Sequence, residues 1–163
     1  MAEQVYNEED LNKMCKDYQK ILNIQDWKII VSLVDQNTIK NANAECRMVE
    51  SIKRAHIKIP SPETWKPDPI LPQQDMRLSL LHELVHIVFA YSDPCYKPDS
   101  LKHNLWEASI EAVSEGLNSL LTIADAFTAL HQKAQETATN EEESEQEGQP
   151  QGFVPTQPDQ KSE

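Results

Sequence analysis

The 163-residue sequence predicts an α+β fold, with one compact domain followed by an acidic tail. Two observations support this fold class. Apolar residues recur with helical spacing at the start of the chain and again in its second half, and short runs rich in β-branched residues lie between. We therefore expect, in chain order, an N-terminal helix, a small sheet of about three mainly antiparallel strands, a buried helix and a long final helix.

The first helix is predicted over residues 8–23, where apolar side chains recur at spacings of three and four. Asn7 is suited to the N-cap, and Asn23 to the end of the helix. The third strand is expected to end at Pro60-Ser61-Pro62, because proline cannot continue a strand ladder. The three predicted strands cover residues 27–34, 44–49 and 52–59.

Two loops rich in proline separate the later elements. The first covers residues 60–74 and leads to a helix over residues 75–91, which is apolar nearly all round and therefore typical of a buried helix. The second loop covers residues 92–103. A long helix is then predicted over residues 105–133, with apolar residues on more than one face.

The formal net charge of −12 is distributed unevenly along the chain. Residues 1–133 carry 14 Lys and Arg against 19 Asp and Glu, whereas residues 134–163 carry one Lys against eight acids. The second composition cannot bury enough apolar surface to fold, so we predict a domain over residues 1–133 and a disordered acidic tail over residues 134–163. Neither part shows a strong basic face, so no nucleic-acid partner is expected.

The cysteine count and the N-terminus bear on the compartment. Cys15, Cys46 and Cys95 are odd in number and show no paired spacing, which argues against a disulfide framework and favours the reduced cytoplasm. The acidic N-terminus lacks the apolar core of a signal peptide, and no apolar run reaches the roughly 18 residues of a membrane span. We expect a cytoplasmic protein that does not bind membranes, and its oligomeric state is left open.

The predicted buried helix contains the sequence Leu-His-Glu-Leu-Val-His-Ile over residues 81–87. His82 and His86 lie four residues apart and therefore leave the same helix face, where both imidazoles can reach one zinc ion at about 2.0–2.1 Å. Glu83 lies next to them and can act as a general base on water. The motif predicts a zinc-dependent hydrolase with one Zn²⁺ ion.

A hydrolytic zinc site needs three protein ligands and an open position. The leading candidate for the third ligand is Glu107, with Glu111 one helical turn later to orient an imidazole. His103 is the alternative third ligand, and Cys95 is a more remote one. A different interpretation treats the two histidines as ordinary core residues bonded to carbonyls, and the later glutamates as a solvated helix face.

Residues 8–125 resemble the gluzincin-type zinc metallopeptidases, and most closely the small predicted metallopeptidases of phages and prophages. The resemblance implies a minimal zincin-like core, with His82, His86 and Glu107 as zinc ligands. It assigns the general base to Glu83 and the orientation of a ligand to Glu111. The matching motifs are Trp27-Lys28-Ile29, Ala55-His56-Ile57-Lys58-Ile59, His82-Glu83-Leu84-Val85-His86 and Glu107-Ala108-Ser109-Ile110-Glu111.

The resemblance also implies a protein or peptide substrate, cleaved in the host cytoplasm if a phage encodes the chain. It makes residues 54–59 a sheet edge that pairs with extended substrate, so His56, Ile57 and Lys58 are expected to contact it. His103, Tyr91 and Tyr96 are candidates for stabilising the oxyanion. The alternative function is a zincin-fold protein with weak or no catalysis, which acts by binding a host or phage partner.

Overall fold

The structure is a computed structural model, and it describes residues 5–39, 42–67, 74–90 and 100–147. These residues form an α+β fold with three α-helices and one three-stranded mixed sheet. The elements, in chain order, are α1 (Glu8–Ile21), β1 (Lys28–Val34), β2 (Glu45–Val49), β3 (Arg54–Pro60), α2 (Met76–Val88) and α3 (Leu101–Glu147).

Helix α1 begins and ends close to the predicted residues. The side chain of Asn7 accepts a hydrogen bond from the backbone N–H of Asp10, and the carboxylate of Asp10 accepts one from the backbone N–H of Asn7, which completes a capping box. Leu22 is the C-cap, and Asn23 follows with φ 56° in the left-handed region, where asparagine is tolerated better than most residues. Both predictions about the ends of this helix are confirmed.

The sheet has the order β1-β3-β2, so β3 is its central strand. Strand β3 pairs in parallel with β1 and antiparallel with β2. The prediction of a mainly antiparallel sheet is therefore wrong, because the longer ladder, between β1 and β3, is parallel. The predicted start of the third strand at residue 52 is also early. Glu50–Ile52 forms a short 3-10 helix, and Lys53 turns the chain at φ 48° before β3 begins.

Side chains of α1 bond to the outer edge of β1. The amide of Asn12 donates to the carbonyl of Val31 at 2.8 Å and accepts from the N–H of the same residue at 3.0 Å. Two residues further along the strand, the N–H of Leu33 donates to the carboxylate of Glu8 at 3.1 Å. These bonds replace the ladder that a neighbouring strand would provide at this edge.

The core lies between one face of the sheet and helices α1 and α2. Alternate residues of β3, namely Ala55, Ile57 and Ile59, point into this core, as the two-residue period of a strand requires. Helix α2 contributes most of its surface, in agreement with its apolar sequence. The buried core residues are Leu11, Cys15, Tyr18, Ile24, Trp27, Val31, Ala55, Ile57, Ile59, Met76, Leu80, Leu81, Leu84, Ile87 and Ala90.

Helix α3 is longer than predicted. It begins at Leu101 and ends at Glu147, whereas the sequence predicts residues 105–133. The first part of the predicted disordered tail is thus helical, and residues 148–163 lie outside the described residues. The chain divides into two compact units, Met1–Leu121 and Thr122–Glu163, and the proposed domain boundary after residue 133 stays a prediction.

In the part of the chain that the structure describes, no helix combines the length and the apolar character that crossing a membrane requires.

Candidate metal centre

Helix α2 presents its two histidines on the face that the core does not cover. Leu81, Leu84 and Val85 are almost fully buried, whereas His82 and His86 are only half-buried. The side chain of Asp75 caps the start of the helix by accepting from the N–H of Leu78 at 2.8 Å. The cap and the buried core residues fix the rotation of α2, and the rotation aims both imidazoles toward α3.

Three ligand-type atoms from α2 and α3 converge at this point. Nε2 of His82 lies 3.1 Å from Nε2 of His86, and Oε2 of Glu107 lies 3.6 Å from the first nitrogen and 3.4 Å from the second. Among the described residues, His82, His86 and Glu107 form the one cluster of three or more His, Cys, Asp or Glu side chains that could hold a metal ion. These are the three residues that the sequence analysis names as candidate ligands.

The spacing of these atoms fits a tetrahedral ion. Bonds of about 2.0–2.1 Å to zinc require neighbouring ligand atoms about 3.3–3.4 Å apart. The observed separations of 3.1, 3.4 and 3.6 Å bracket that value. Two imidazoles and one carboxylate are also a donor set typical of hydrolytic zinc sites. The residues present thus fit one zinc ion.

Glu111 holds the far side of one imidazole. Its Oε2 lies 2.8 Å from Nδ1 of His82. A carboxylate accepts, so Nδ1 carries a proton, and Nε2 is the ring nitrogen directed toward His86 and Glu107. The contact places Glu111 beside an imidazole of the cluster, and its role in orienting a ligand stays a prediction.

Apolar residues of α3 next to the two glutamates are buried or in ring contact. Ile110 is 2% exposed, and the ring of Trp106 meets that of Phe89 edge-on with centroids 5.9 Å apart. Glu107 and Glu111 lie one turn apart between these contacts and face α2.

Glu83 is the most buried acid of the site, at 8% exposure. Burial raises its pKa to about 8, and the nearby carboxylate of Glu107 adds to the rise. The backbone of Cys46 in β2 forms a hydrogen bond with the Glu83 carboxylate, and this bond partly offsets the rise in the pKa of Glu83. A carboxyl group with this pKa can take up and release a proton near neutral pH.

The alternative third ligands named from the sequence were His103 and Cys95. Nδ1 of His103 lies 4.0 Å from Oε1 of Glu107, the carboxylate oxygen that faces away from the two histidines. His103 thus lies near Glu107 but is not part of the cluster. Cys95, Tyr91 and Tyr96 lie outside the described residues, so their predicted roles stay predictions.

The predicted substrate strand is not a sheet edge. Residues 54–58 pair with β1 on one side and with β2 on the other, so their backbone groups are already used. His56 bonds to Ser32 Oγ at 3.0 Å, Ile57 is fully buried, and Lys58 lies 3.9 Å from Glu45. The hypothesis that this strand pairs with substrate is therefore wrong, and β2 is the outer strand next to the site.

A cavity of about 400 Å³ opens onto the cluster. Its wall contains residues that the sequence analysis did not assign to a site. Trp65, which lies in the first proline-rich loop, is one of them. No local motif marks these residues, because they come from three separate segments. They are Ala42, Asn43, Ala44, Trp65, Gln74, Asp75, Leu78 and Ser79.

Comparisons of the chain with protein-family models, with curated proteins and with solved structures find no match.

Proposed function

We propose that this chain is a zinc-dependent metallopeptidase with a narrow range of protein or peptide substrates. One observation carries the proposal: the three ligand-type atoms of His82, His86 and Glu107 lie at the mutual spacing of zinc ligands, with the buried carboxyl of Glu83 beside them. Two histidines and an acid that served only in core packing would not need to direct their ligand atoms toward one point.

The ligand roles follow from the contacts. His82, His86 and Glu107 would hold the ion, and Glu111 keeps the His82 ring in the tautomer that leaves Nε2 free to bind. A zinc ion held there would supply Lewis acidity, which polarises a carbonyl group and acidifies water.

Glu83 is proposed as the proton carrier. Its carboxylate takes a proton from water as the water oxygen attacks the scissile carbonyl carbon, and it returns the proton to the leaving amine. Burial favours this function because it raises the pKa of the carboxyl group, and the bond to the backbone of Cys46 holds the group in place. Glu83 therefore serves first as a base and then as an acid.

The position of substrate is proposed from the cavity. Ala42, Asn43 and Ala44 lead into the outer strand β2 and line the cavity beside the metal centre. An extended peptide that lies along this strand would pass Glu83, since the carboxylate is bonded to the backbone of Cys46 in the same strand. The small cavity favours a narrow substrate range.

The test combines metal analysis with a cleavage screen. The purified protein is expected to contain one zinc ion per chain and to cleave some members of a peptide library read by mass spectrometry. Glu83→Gln should keep zinc and lose cleavage, whereas His82→Ala should lose both. Cleavage by Glu83→Gln at the wild-type rate would overturn the mechanism. Zinc binding without any cleavage would favour the alternative of a binding protein with a zincin-like fold.

A further inference from the structure

The sheet face opposite the core carries a cluster of cations. Alternate residues of β3 fill the core, so Arg54, His56 and Lys58 lie on the other face. The strand pairing aligns them with residues of the two neighbouring strands. One row across the sheet consists of Lys28, Arg54 and Val49, the next of Ile30, His56 and Arg47, and the third of Ser32, Lys58 and Glu45.

The first two rows form an open groove of about 310 Å³. The three rows contain four Lys or Arg side chains and one acid, Glu45. This face is therefore positively charged, although the whole chain has a net charge of −12. No local sequence motif marks this surface, because its cations are scattered over three strands. Only the strand pairing brings them together.

The cations are unequally neutralised. Glu45 pairs with Arg47 at 2.8 Å and lies 3.9 Å from Lys58. Lys28 and Arg54, in contrast, are direct neighbours across the β1–β3 ladder, and neither has an ion-pair partner among the described residues. Like charges on adjacent strands oppose folding. An anionic partner would relieve this repulsion.

The apolar residues of the groove indicate the kind of partner. Ile30 and Val49 are 51% and 52% exposed and lie among the cations. Aliphatic side chains beside Lys and Arg suit a peptide that carries both carboxylates and aliphatic groups. Single-stranded nucleic acid would favour aromatic platforms for its bases, and no Phe, Tyr or Trp occurs among the described residues that line this groove.

We propose that this groove, which we call the cationic sheet groove, binds an acidic segment of a partner protein. The partner's carboxylates pair with Lys28 and Arg54, and its aliphatic side chains cover Ile30 and Val49. The groove lies on the opposite side of the sheet from the metal centre. Binding there consequently does not depend on zinc or on catalysis.

The test measures binding directly on the full-length chain. A fluorescein-labelled peptide of about twelve residues, in which glutamates flank isoleucines, is titrated with protein and followed by fluorescence anisotropy. The double variant Lys28→Glu/Arg54→Glu should weaken binding at least about tenfold. The matched control Lys13→Glu/Lys16→Glu makes the same change of charge on exposed residues of α1 and should bind like wild type. Circular dichroism verifies that each variant is folded.

Further binding measurements distinguish an acidic peptide from other possible ligands of the groove. Raising the salt from about 50 mM to about 200 mM should weaken binding severalfold, and a peptide with glutamine in place of glutamate should not bind. The variant His82→Ala should bind the acidic peptide like wild type, so failure of the metal centre is distinguishable from failure of the groove. Equal loss in both double variants, no binding at all, or equally tight binding of an oligothymidylate of matched charge would overturn the proposal.

Discussion

Nδ1 of His82 lies 2.8 Å from Oε2 of Glu111, although the two residues belong to different helices. The contact connects the middle of α2 to the first turns of α3. It also fixes which nitrogen of the ring is protonated, because the carboxylate can only accept. The direction in which Nε2 points is therefore set before any ion binds.

Glu111→Gln should weaken zinc binding about 10- to 100-fold without abolishing it, because the amide supports the imidazole less well than the carboxylate does. Zinc affinity is measured by competition with a chromophoric chelator. Glu115→Gln is the matched control, since Glu115 is exposed one turn further along α3. Equal affinities in wild type and Glu111→Gln would show that the contact does not orient the ligand.

Glu107→Ala should lose bound zinc during purification, whereas His103→Ala should retain it. The reason is that Glu107, unlike His103, has a ligand atom within 3.6 Å of Nε2 of both His82 and His86. Metal content is measured by mass spectrometry of the purified variants. Retention of zinc by the first variant and loss by the second would instead make His103 the third ligand.

The pairing of strands is the part of the fold that the sequence could not supply. Alternation in Ala55-His56-Ile57-Lys58-Ile59 shows that one face is buried, and the structure confirms it. Alternation does not say which strand lies beside which. Successive strands commonly form antiparallel neighbours, but here β1 lies in parallel beside β3, and only β2 follows the expected pattern.

The proximity of His82, His86 and Glu107 was easier to predict than the surroundings of this cluster. Helical geometry alone brings His82 and His86 together, and the spacing of Glu107 and Glu111 places both on one face of the next helix. The walls of the cavity, such as Trp65 and Asn43, depend on how distant segments fold back. The end of α3 was misjudged for another reason. Low hydrophobicity argues against a core, but glutamate and glutamine still favour a helix locally.

Ile57→Ala should lower the free energy of unfolding by about 2–5 kcal/mol, because the side chain is fully buried in the central strand. Ile30→Ala, which removes the same atoms from a half-exposed position in β1, should cost less than about 1 kcal/mol. Urea denaturation of both variants measures the difference. Similar losses would contradict the assignment of the two sheet faces.

The thiols of buried Cys15 and half-buried Cys46 should react slowly in the folded protein. Burial raises the pKa of Cys15 to about 11 and that of Cys46 to about 12, and the carboxylate of Glu83 adds to the second shift. At pH 8 both residues should therefore be alkylated by iodoacetamide at least about 100-fold more slowly than in denaturant. The measurement uses mass spectrometry of a Cys95→Ser variant, so that only these two thiols are read. Rapid labelling of either thiol in the folded protein would contradict this prediction.

The same pKa values predict how stability depends on pH. The folded chain keeps thiol protons that the unfolded chain releases near the ordinary pKa of 9.0. The free energy of unfolding should consequently fall as the pH rises from about 9 toward 11, with Cys15 and Cys46 contributing to the fall. Replacing both by alanine should flatten this dependence in denaturation curves recorded across that range.

The hydrogen bonds of Asn12 limit how far the sheet can extend. An open strand edge is a template on which a strand from another molecule can add. Because the amide of Asn12 occupies both backbone groups of Val31, an incoming strand would first have to break two hydrogen bonds at that point. Intermolecular growth of the sheet is thereby discouraged on the β1 side, and a single amide side chain helps to keep a small sheet finite.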